Sequence, residues 1–293
     1  MQQVIGIDLG GTAIKLGLVT AAGEVVRSLS VPTPQPSYPE PVIAAIVNAV
    51  AQLDPTREAT AIGLGMPGPA DRAGRVAQIS INLDGWLEVP VADWLEAQTG
   101  YPVTAENDAN CAAIGEAWLG AGRQFQDWIL LTLGTGVGGA IFLNGQLFTG
   151  HSGAAGELGL ITIDPNGPVC NSGNSGSLEQ HCSMRALQRE TGQSPQQLAE
   201  AARAGNPDAI ALWQQYGRLL GAGIANHLYV LTPEAVVLGG GMSALAPLFM
   251  TALSAEIEAR VLLPSRAHLQ ILIAELGNQA GLIGAAKLAF SQP

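Results

Sequence analysis

Two stretches of the chain carry one pattern, an apolar run, a cluster of glycines and a second apolar run. Residues 4–20 read VIGIDLGGTAIKLGLVT and residues 128–148 read WILLTLGTGVGGAIFLNGQLF. The flanking runs are rich in β-branched residues, so each stretch predicts strand, glycine turn, strand. After the first, AAGEVVRSLSVPT continues as a third strand beyond a turn at Gly23, and TPQPSYPEP is a loop. PVIAAIVNAVAQL then shows the 3.6-residue apolar spacing of an amphipathic helix that opens with Pro41. ATAIGLGMPGPAD reads as a buried strand running into a turn, PVADWLEAQTG as a helix closed by Gly100, and YPVTAEND as a short strand. ANCAAIGEAWLGAG is a second helix directly after Asp108.

The second stretch is followed by the same kinds of elements. Asn144-Gly145 makes a hairpin turn. SLEQHCSMRALQRET and SPQQLAEAARAG are helical, and PDAIALWQQYGRLLGAGIANHLYVL is one long helix. Strand AVVLGGG, helix APLFMTALSAEIEARV, strand LQILIAEL and helix AGLIGAAKLAF complete the chain. The glycine turns lie roughly 126 residues apart, which reads as an internal duplication of architecture. Strands alternating with helices predict an α/β fold in two lobes with a cleft between them. The expected lobes are residues 1–109 and 110–279, with the last helix, about 280–293, packing back on the first lobe.

Composition narrows the function. Of 293 residues, 47% are hydrophobic and 13% charged, so extensive burial is expected and disorder is not. A net charge of -11 repels phosphate backbones and argues against a nucleic-acid partner. Three cysteines give no disulfide framework and fit a reducing cytosol. The start, MQQVIGIDLGG, lacks the basic region of a signal peptide, and no stretch reaches the roughly 18 uninterrupted apolar residues of a membrane span. A cytoplasmic protein without a membrane partner is expected.

Residues 134–139, GTGVGG, contain the spacing G-x-G-x-x-G but run into a strand rather than a helix, so they are not a dinucleotide fingerprint. Two glycine turns at corresponding ends of duplicated lobes have another use. Glycines let main-chain N–H groups approach an anion, and Thr12 and Thr135 add hydroxyls. Such turns suit a triphosphate without a lysine cluster. Asp8, ending the first strand, suits Mg²⁺ held through water, although turn capping explains a single Asp equally well. VVLGGGMS, residues 236–243, offers a flat surface for a base. Glu106-Asn107-Asp108 reads either as helix capping or as a general base beside a substrate hydroxyl, the latter worth ~10²–10⁴ in rate. Glu157 and Glu179 are solvated surface carboxylates, or acceptors for the hydroxyls of a neutral sugar.

IGIDLGGTAIKLGLV, GMPGPAD, INLDGW, AENDANCAAIGEAWLGAG, LTLGTGVGGAIFLNGQLFTG, GAAGELG and VVLGGG occur in the order found in ROK-family sugar kinases, and the chain resembles that family over nearly its whole length. The resemblance implies ribonuclease-H-like lobes of the hexokinase–actin ATPase superfold and an ATP- and Mg²⁺-dependent hexose 6-kinase, glucose being the leading substrate. It implies Asp108 as the base that deprotonates the 6-hydroxyl, and Gly65, Asn82, Asn107, Asp108, Glu157 and Glu179 as the sugar set. Asp8, Gly10, Gly11, Thr12, Lys15, Gly134, Thr135 and Gly136 would serve the phosphates, with Asp8 facing the metal, and Gly240 and Gly241 the adenosine. A homodimer or homotetramer is also implied.

The chain departs from the family in one loop. The family carries E-x-G-H and a zinc motif C-x-C-G-x-x-G-C-x-E, whereas this chain reads ELGL and CNSGNSGSLE. Leu160 stands for the histidine, and Ser172 and Ser177 for two cysteines, with Cys170 alone retained. Neutral hydroxyls and leucine are not zinc ligands of that type. His181 and Cys182 are helix neighbours about 100° apart and do not replace them, so no zinc is expected. Leu160 cannot donate to a sugar hydroxyl, which leaves fructose, mannose or N-acyl-hexosamine as alternative acceptors. Polyphosphate is an alternative donor, because polyphosphate-using relatives also lack the cysteines. A non-catalytic sugar sensor of the same family is a third reading. The DNA-binding repressors of the family carry an N-terminal helix-turn-helix, whereas the first strand here starts by Val4.

Overall fold

The computed structural model describes residues 2–291. The first apolar runs form β1 (Gln3–Leu9), β2 (Ala13–Thr20) and β3 (Val25–Pro32). β1 and β2 are buried along nearly their whole length, while β3 alternates as an edge strand does. α1 (Pro39–Leu53) begins with proline at its first turn and buries Val42, Ile43, Ile46, Val50 and Leu53 on one face. There follow β4 (Ala59–Met66), β5 (Ala77–Ile79), β6 (Leu87–Val89), and α2 (Val91–Thr99), which stops at Gly100 in the left-handed region. β7 (Val103–Asn107) runs directly into α3 (Asp108–Leu119).

The second glycine stretch forms β8 (Trp128–Leu133), β9 (Val137–Leu143) and β10 (Gln146–Leu147). The expected helix over 177–191 is two, α4 (Leu178–Cys182) and α5 (Met184–Thr191). Ser183 is extended between them, and its hydroxyl caps α5 by accepting from Ala186 N. α6 (Pro195–Arg203), α7 (Pro207–Leu231) and β11 (Ala235–Gly239) follow. The helix expected from Ala246 starts as 3₁₀ turns at Gly241–Leu248, where Pro247 supplies no N–H, and becomes α8 (Met250–Arg260) after Phe249. β12 (Gln270–Ile273) and α9 (Ala280–Phe290) end the fold. The expected last helix reached about 293; residues 292 and 293 lie outside the described residues.

The two large sheets share one plan. Their orders are β3-β2-β1-β4-β7 and β10-β9-β8-β11-β12, each a hairpin extended by parallel strands. The chain divides into one unit of Met1–Gln124, Leu147–Ala155 and Asn278–Pro293, and a second of Phe125–Gln146 and Gly156–Gly277. The division thus falls after Gln124 rather than after 109, because α3 belongs with α9. A Cβ on Gly284 of α9 would stand 1.6 Å from Cys111 O of α3, and one on Gly63 of β4 would stand 1.8 Å from Ala285 O. Helix α9 therefore touches both neighbours backbone to backbone, an approach only glycine permits. Residues 147–155 return to the first unit, where Gln78 Nε2 donates to Ser152 O at 2.6 Å. In the second unit, Trp213, Tyr216 and Phe249 pack as an aromatic cluster between α7 and the start of α8. Among the described residues no helix is long and apolar enough to cross a membrane.

Candidate functional site

In the first unit the carboxyl ends of β1, β4 and β7 lie side by side, Asp8 opposite Gly65 and Gly65 opposite Glu106. Open α/β sheets bind ligands at such strand ends. Asp8 also pairs across the hairpin with Lys15, whose Nζ lies 3.1 Å from Oδ2. One half-sheltered carboxylate already facing an ammonium group is no inner-sphere cage. It fits Mg²⁺ held through water and phosphate oxygens. In the turn at 10–12, Gly10 N donates to Ala13 O. Thr33 Oγ1 donates to Gly10 O, Gln35 Nε2 to Gly11 O and Thr33 N to Thr12 O. The carbonyl oxygens that would repel an anion are engaged, and Gly11 and Thr12 face solvent.

Gly65 is buried, and a Cβ there would sit 3.2 Å from Cys111 Sγ, so this glycine makes room for α3. Asn82 is exposed in the loop between β5 and β6, its carbonyl oxygen 3.9 Å from the Cβ position of Gly11. Asp84 pins this loop by accepting from Ser37 N and Oγ at 2.8 and 2.9 Å. The β5–β6 pair is a feature that sequence reasoning missed, because each strand is only three residues long.

The junction of β7 and α3 holds all three residues of Glu106-Asn107-Asp108. Asn107 is the cap: its Oδ1 accepts from Ala109 N and Asn110 N at 2.9 and 3.1 Å. Its Nδ2 donates to Gly68 O, which leaves one amide hydrogen for a ligand. Asp108 is exposed at the first helical position, and its Oδ1 accepts from Ala109 N at 2.8 Å. Glu106 Oε1 accepts from Asn107 N and Asn110 Nδ2 at 2.7 and 3.0 Å. Burial raises the Glu106 pKa, aided by the charge of Asp71, and the two hydrogen bonds only partly offset this. Glu106 and Asn110 were not among the expected site residues. Their i, i+4 spacing across the start of α3 is the signal that marks them.

In the second unit the turn at 134–136 joins β8 to β9. Thr135 is exposed, Gly134 N donates to Gly136 O, and Met184 N donates to Gly134 O at 2.9 Å. Glu179, in the first turn of α4, accepts from Val137 N through Oε2 at 3.0 Å. Glu157 is exposed as a residue, yet protein crowding around its carboxyl, and secondarily the Glu179 charge, pushes its pKa up. Gly240, at φ +78°, would place a Cβ 2.4 Å from Leu133 O, which ties the end of β11 to the root of the glycine turn. Gly241 beside it is exposed, with open space where its Cβ would stand.

The loop over 160–177 is held by its own hydrogen bonds. Asn174 Nδ2 donates to Leu160 O and Thr162 Oγ1, both at 2.9 Å, and Asn174 O accepts from Cys170 N at 2.7 Å. Cys170 and Cys182 are buried free thiols, the latter packed in the apolar core, and His181 Nε2 is buried without a partner among the described residues. Among those residues no three His, Cys, Asp or Glu side chains group as a metal site.

The chain matches the ROK family over residues 4–292. It is 32% identical to the glucokinase of Thermotoga maritima, across 98% of this chain and 96% of that protein. It is 35% identical to the glucokinase of Streptomyces coelicolor, across 99% of this chain and 98% of that one. Its fold superposes with a TM-score of 0.87 on a ROK family glucokinase from Streptomyces griseus in complex with glucose and AMPPNP, at 35% identity, covering 99% of this chain and all of the other. With paired sheets of the hexokinase type and glycine turns at their strand ends, this chain belongs to the ROK family.

Proposed function

We propose that the protein is an ATP-dependent glucokinase, which transfers the γ-phosphoryl group of ATP to the 6-hydroxyl of glucose. The observation that carries this reading is the separation of duties at the start of α3. Asn107 accepts from both Ala109 N and Asn110 N, and beside it Asp108 presents an exposed carboxylate at the first helical position. Full-length similarity to glucokinases supports glucose as the acceptor and ATP as the donor.

Asp108 accepts the proton of the 6-hydroxyl as that oxygen attacks the γ-phosphorus. The bond from γ-phosphorus to the bridging oxygen breaks, ADP leaves with the electron pair, and Asp108 later returns its proton to water. Asn107 donates its remaining amide hydrogen to a sugar oxygen, and Glu157 and Glu179 accept from sugar hydroxyls. Asn82, in its exposed loop, belongs to the same sugar set, and Gly65 shapes that set from beneath. The turns at 10–12 and 134–136 offer N–H groups and the Thr12 and Thr135 hydroxyls to the phosphates, and Gly240 and Gly241 lie against the adenosine. Asp8 would hold Mg²⁺ through water, and the bound ion would supply charge neutralisation for the phosphates. Lys15 holds the Asp8 carboxylate in place for that contact. No zinc takes part. The reading carries with it a cytoplasmic location and a homodimer or homotetramer, which light scattering measures.

The test is product formation with glucose, mannose, fructose, N-acetylglucosamine and N-acetylmannosamine, each with Mg-ATP and with polyphosphate. Selective glucose 6-phosphate formation from ATP is expected. Turnover confined to another sugar or to polyphosphate overturns the substrate assignment, and no turnover with any pair overturns the kinase reading.

A further inference from the structure

Glu179 stands at the junction of two parts of the second unit that the reading above treats separately, the sugar set and the donor turn. Its Oε2 accepts from Val137 N, the first residue of β9 after the turn at 134–136. The Cβ position of Gly136 lies 2.3 Å from that same oxygen, so the carboxylate fills the space a side chain would take. The other end of the turn is held as well, since Met184 N donates to Gly134 O. The segment bearing Glu157 also presses on β9. A Cβ on Gly159 would stand 1.8 Å from Val137 O, and one on Gly139 would stand 2.6 Å from Gly156 O. Glu179 is therefore anchored at the first residue after the donor turn, and the segment bearing Glu157 packs on the same strand.

We propose that Glu179 is a positioning residue that couples acceptor to donor. One carboxylate oxygen orders the turn through Val137, and the other receives a sugar hydroxyl. This rests on the glucokinase reading. A sugar hydroxyl on Oε1 fixes the Glu179 rotamer and with it the Val137 amide, so a triphosphate meets a turn that is already ordered. By linkage the nucleotide tightens sugar binding by the same factor.

The experiment is glucose binding by calorimetry, with and without a non-hydrolysable ATP analogue, for the wild type, Glu179→Gln, Glu179→Ala and Gly136→Ala. The wild type is expected to bind glucose at least about fivefold more tightly with the analogue, the low end of ordinary coupling. Glu179→Gln keeps an acceptor for Val137 N and retains most of that factor, whereas Glu179→Ala brings it to one. Gly136→Ala, on the donor turn, is expected to weaken glucose binding about tenfold, because its Cβ displaces the carboxylate. Wild-type coupling in Glu179→Ala, or unchanged glucose affinity in Gly136→Ala, overturns the proposal. Should Glu179→Ala bind too little glucose to measure, amide exchange at Val137 without ligand decides. Faster exchange than in the wild type supports the anchor, and equal exchange overturns it. A wild type that phosphorylates no hexose overturns the kinase reading and the coupling together, and an active one that fails these tests overturns the coupling alone.

Discussion

Asp108→Asn removes one function and spares the rest. Asparagine keeps an oxygen where Asp108 Oδ1 shares the Ala109 N–H with the Asn107 cap, and Asn110 N still donates to Asn107. The substituted side chain is exposed, so no core contact is lost. Stability should therefore fall by no more than about 1 kcal/mol, the size of a first-turn carboxylate's interaction with the helix dipole. Catalysis should lose more. A general base contributes about 10²–10⁴ in rate, and at 1.36 kcal/mol per decade that is a barrier increase of about 2.7–5.4 kcal/mol. The assay is a coupled measurement of ADP release at saturating glucose and ATP, beside a thermal melt and a glucose titration. A fall in kcat of at least a hundredfold, with the melt and the glucose Kd nearly unmoved, is the expected result. Turnover within threefold of wild type refutes Asp108 as the base. Asn107→Ala gives the opposite profile: loss of a cap worth about 1 kcal/mol lowers Tm by a few degrees. It also weakens glucose binding.

Other substitutions probe the supports of the site. Gly63→Ala forces a Cβ against Ala285 O and is expected to cost at least about 1–3 kcal/mol, read as a fall in the urea midpoint; an unchanged midpoint shows that α9 yields freely. Glu106 has a raised folded pKa, so the native state holds its proton more tightly than the unfolded chain does, and the stability this gives at low pH is lost as pH rises through the folded pKa. Glu106→Gln should therefore gain in Tm relative to wild type as pH rises from 4 to 8; a gap that is constant or narrows refutes that assignment. Asn174→Ala removes the side-chain hydrogen bonds that join Leu160 O, Thr162 Oγ1 and Ser175 N in the 160–177 loop, each worth about 1 kcal/mol, and should raise the glucose KM at least about tenfold while leaving the ATP KM in place. A zinc chelator should leave the wild-type Tm unchanged, and a drop of many degrees would assign a metal to His181 or Cys182.

The strands and the glycine turns are legible in the sequence because their signals are local. A buried central strand such as β1 must be apolar throughout, and a tight hairpin turn must offer glycine. The identity of the capping residue is not local in that sense. Asn107 and Asp108 are both good caps, and only the hydrogen bonds of Asn107 to Ala109 and Asn110 divide the roles between them. The break at Ser183 is hidden because the letters on either side of it form good helices. The lobe boundary is misread for a related reason: the contact that assigns α3 to the first unit comes from α9, some 170 residues further along. Glu179 shows the same limit. Its place in a sugar-kinase motif is readable, whereas its hydrogen bond to Val137 joins residues 42 apart in the chain.

Helix α9 has a bearing on how the protein is made. It lies against β1, β4 and α3 through glycines that leave no gap between the backbones, yet it is synthesised after the whole second unit. A ribosome therefore releases the first sheet without its closing layer and holds it so while the whole second unit is translated. During that interval the faces of β1 and β4 that await α9 are uncovered, and they close only when α9 emerges. The unit begun first is thus finished only after the second, and a truncation that removes α9 withholds that step of folding from the half of the molecule that carries Asp108.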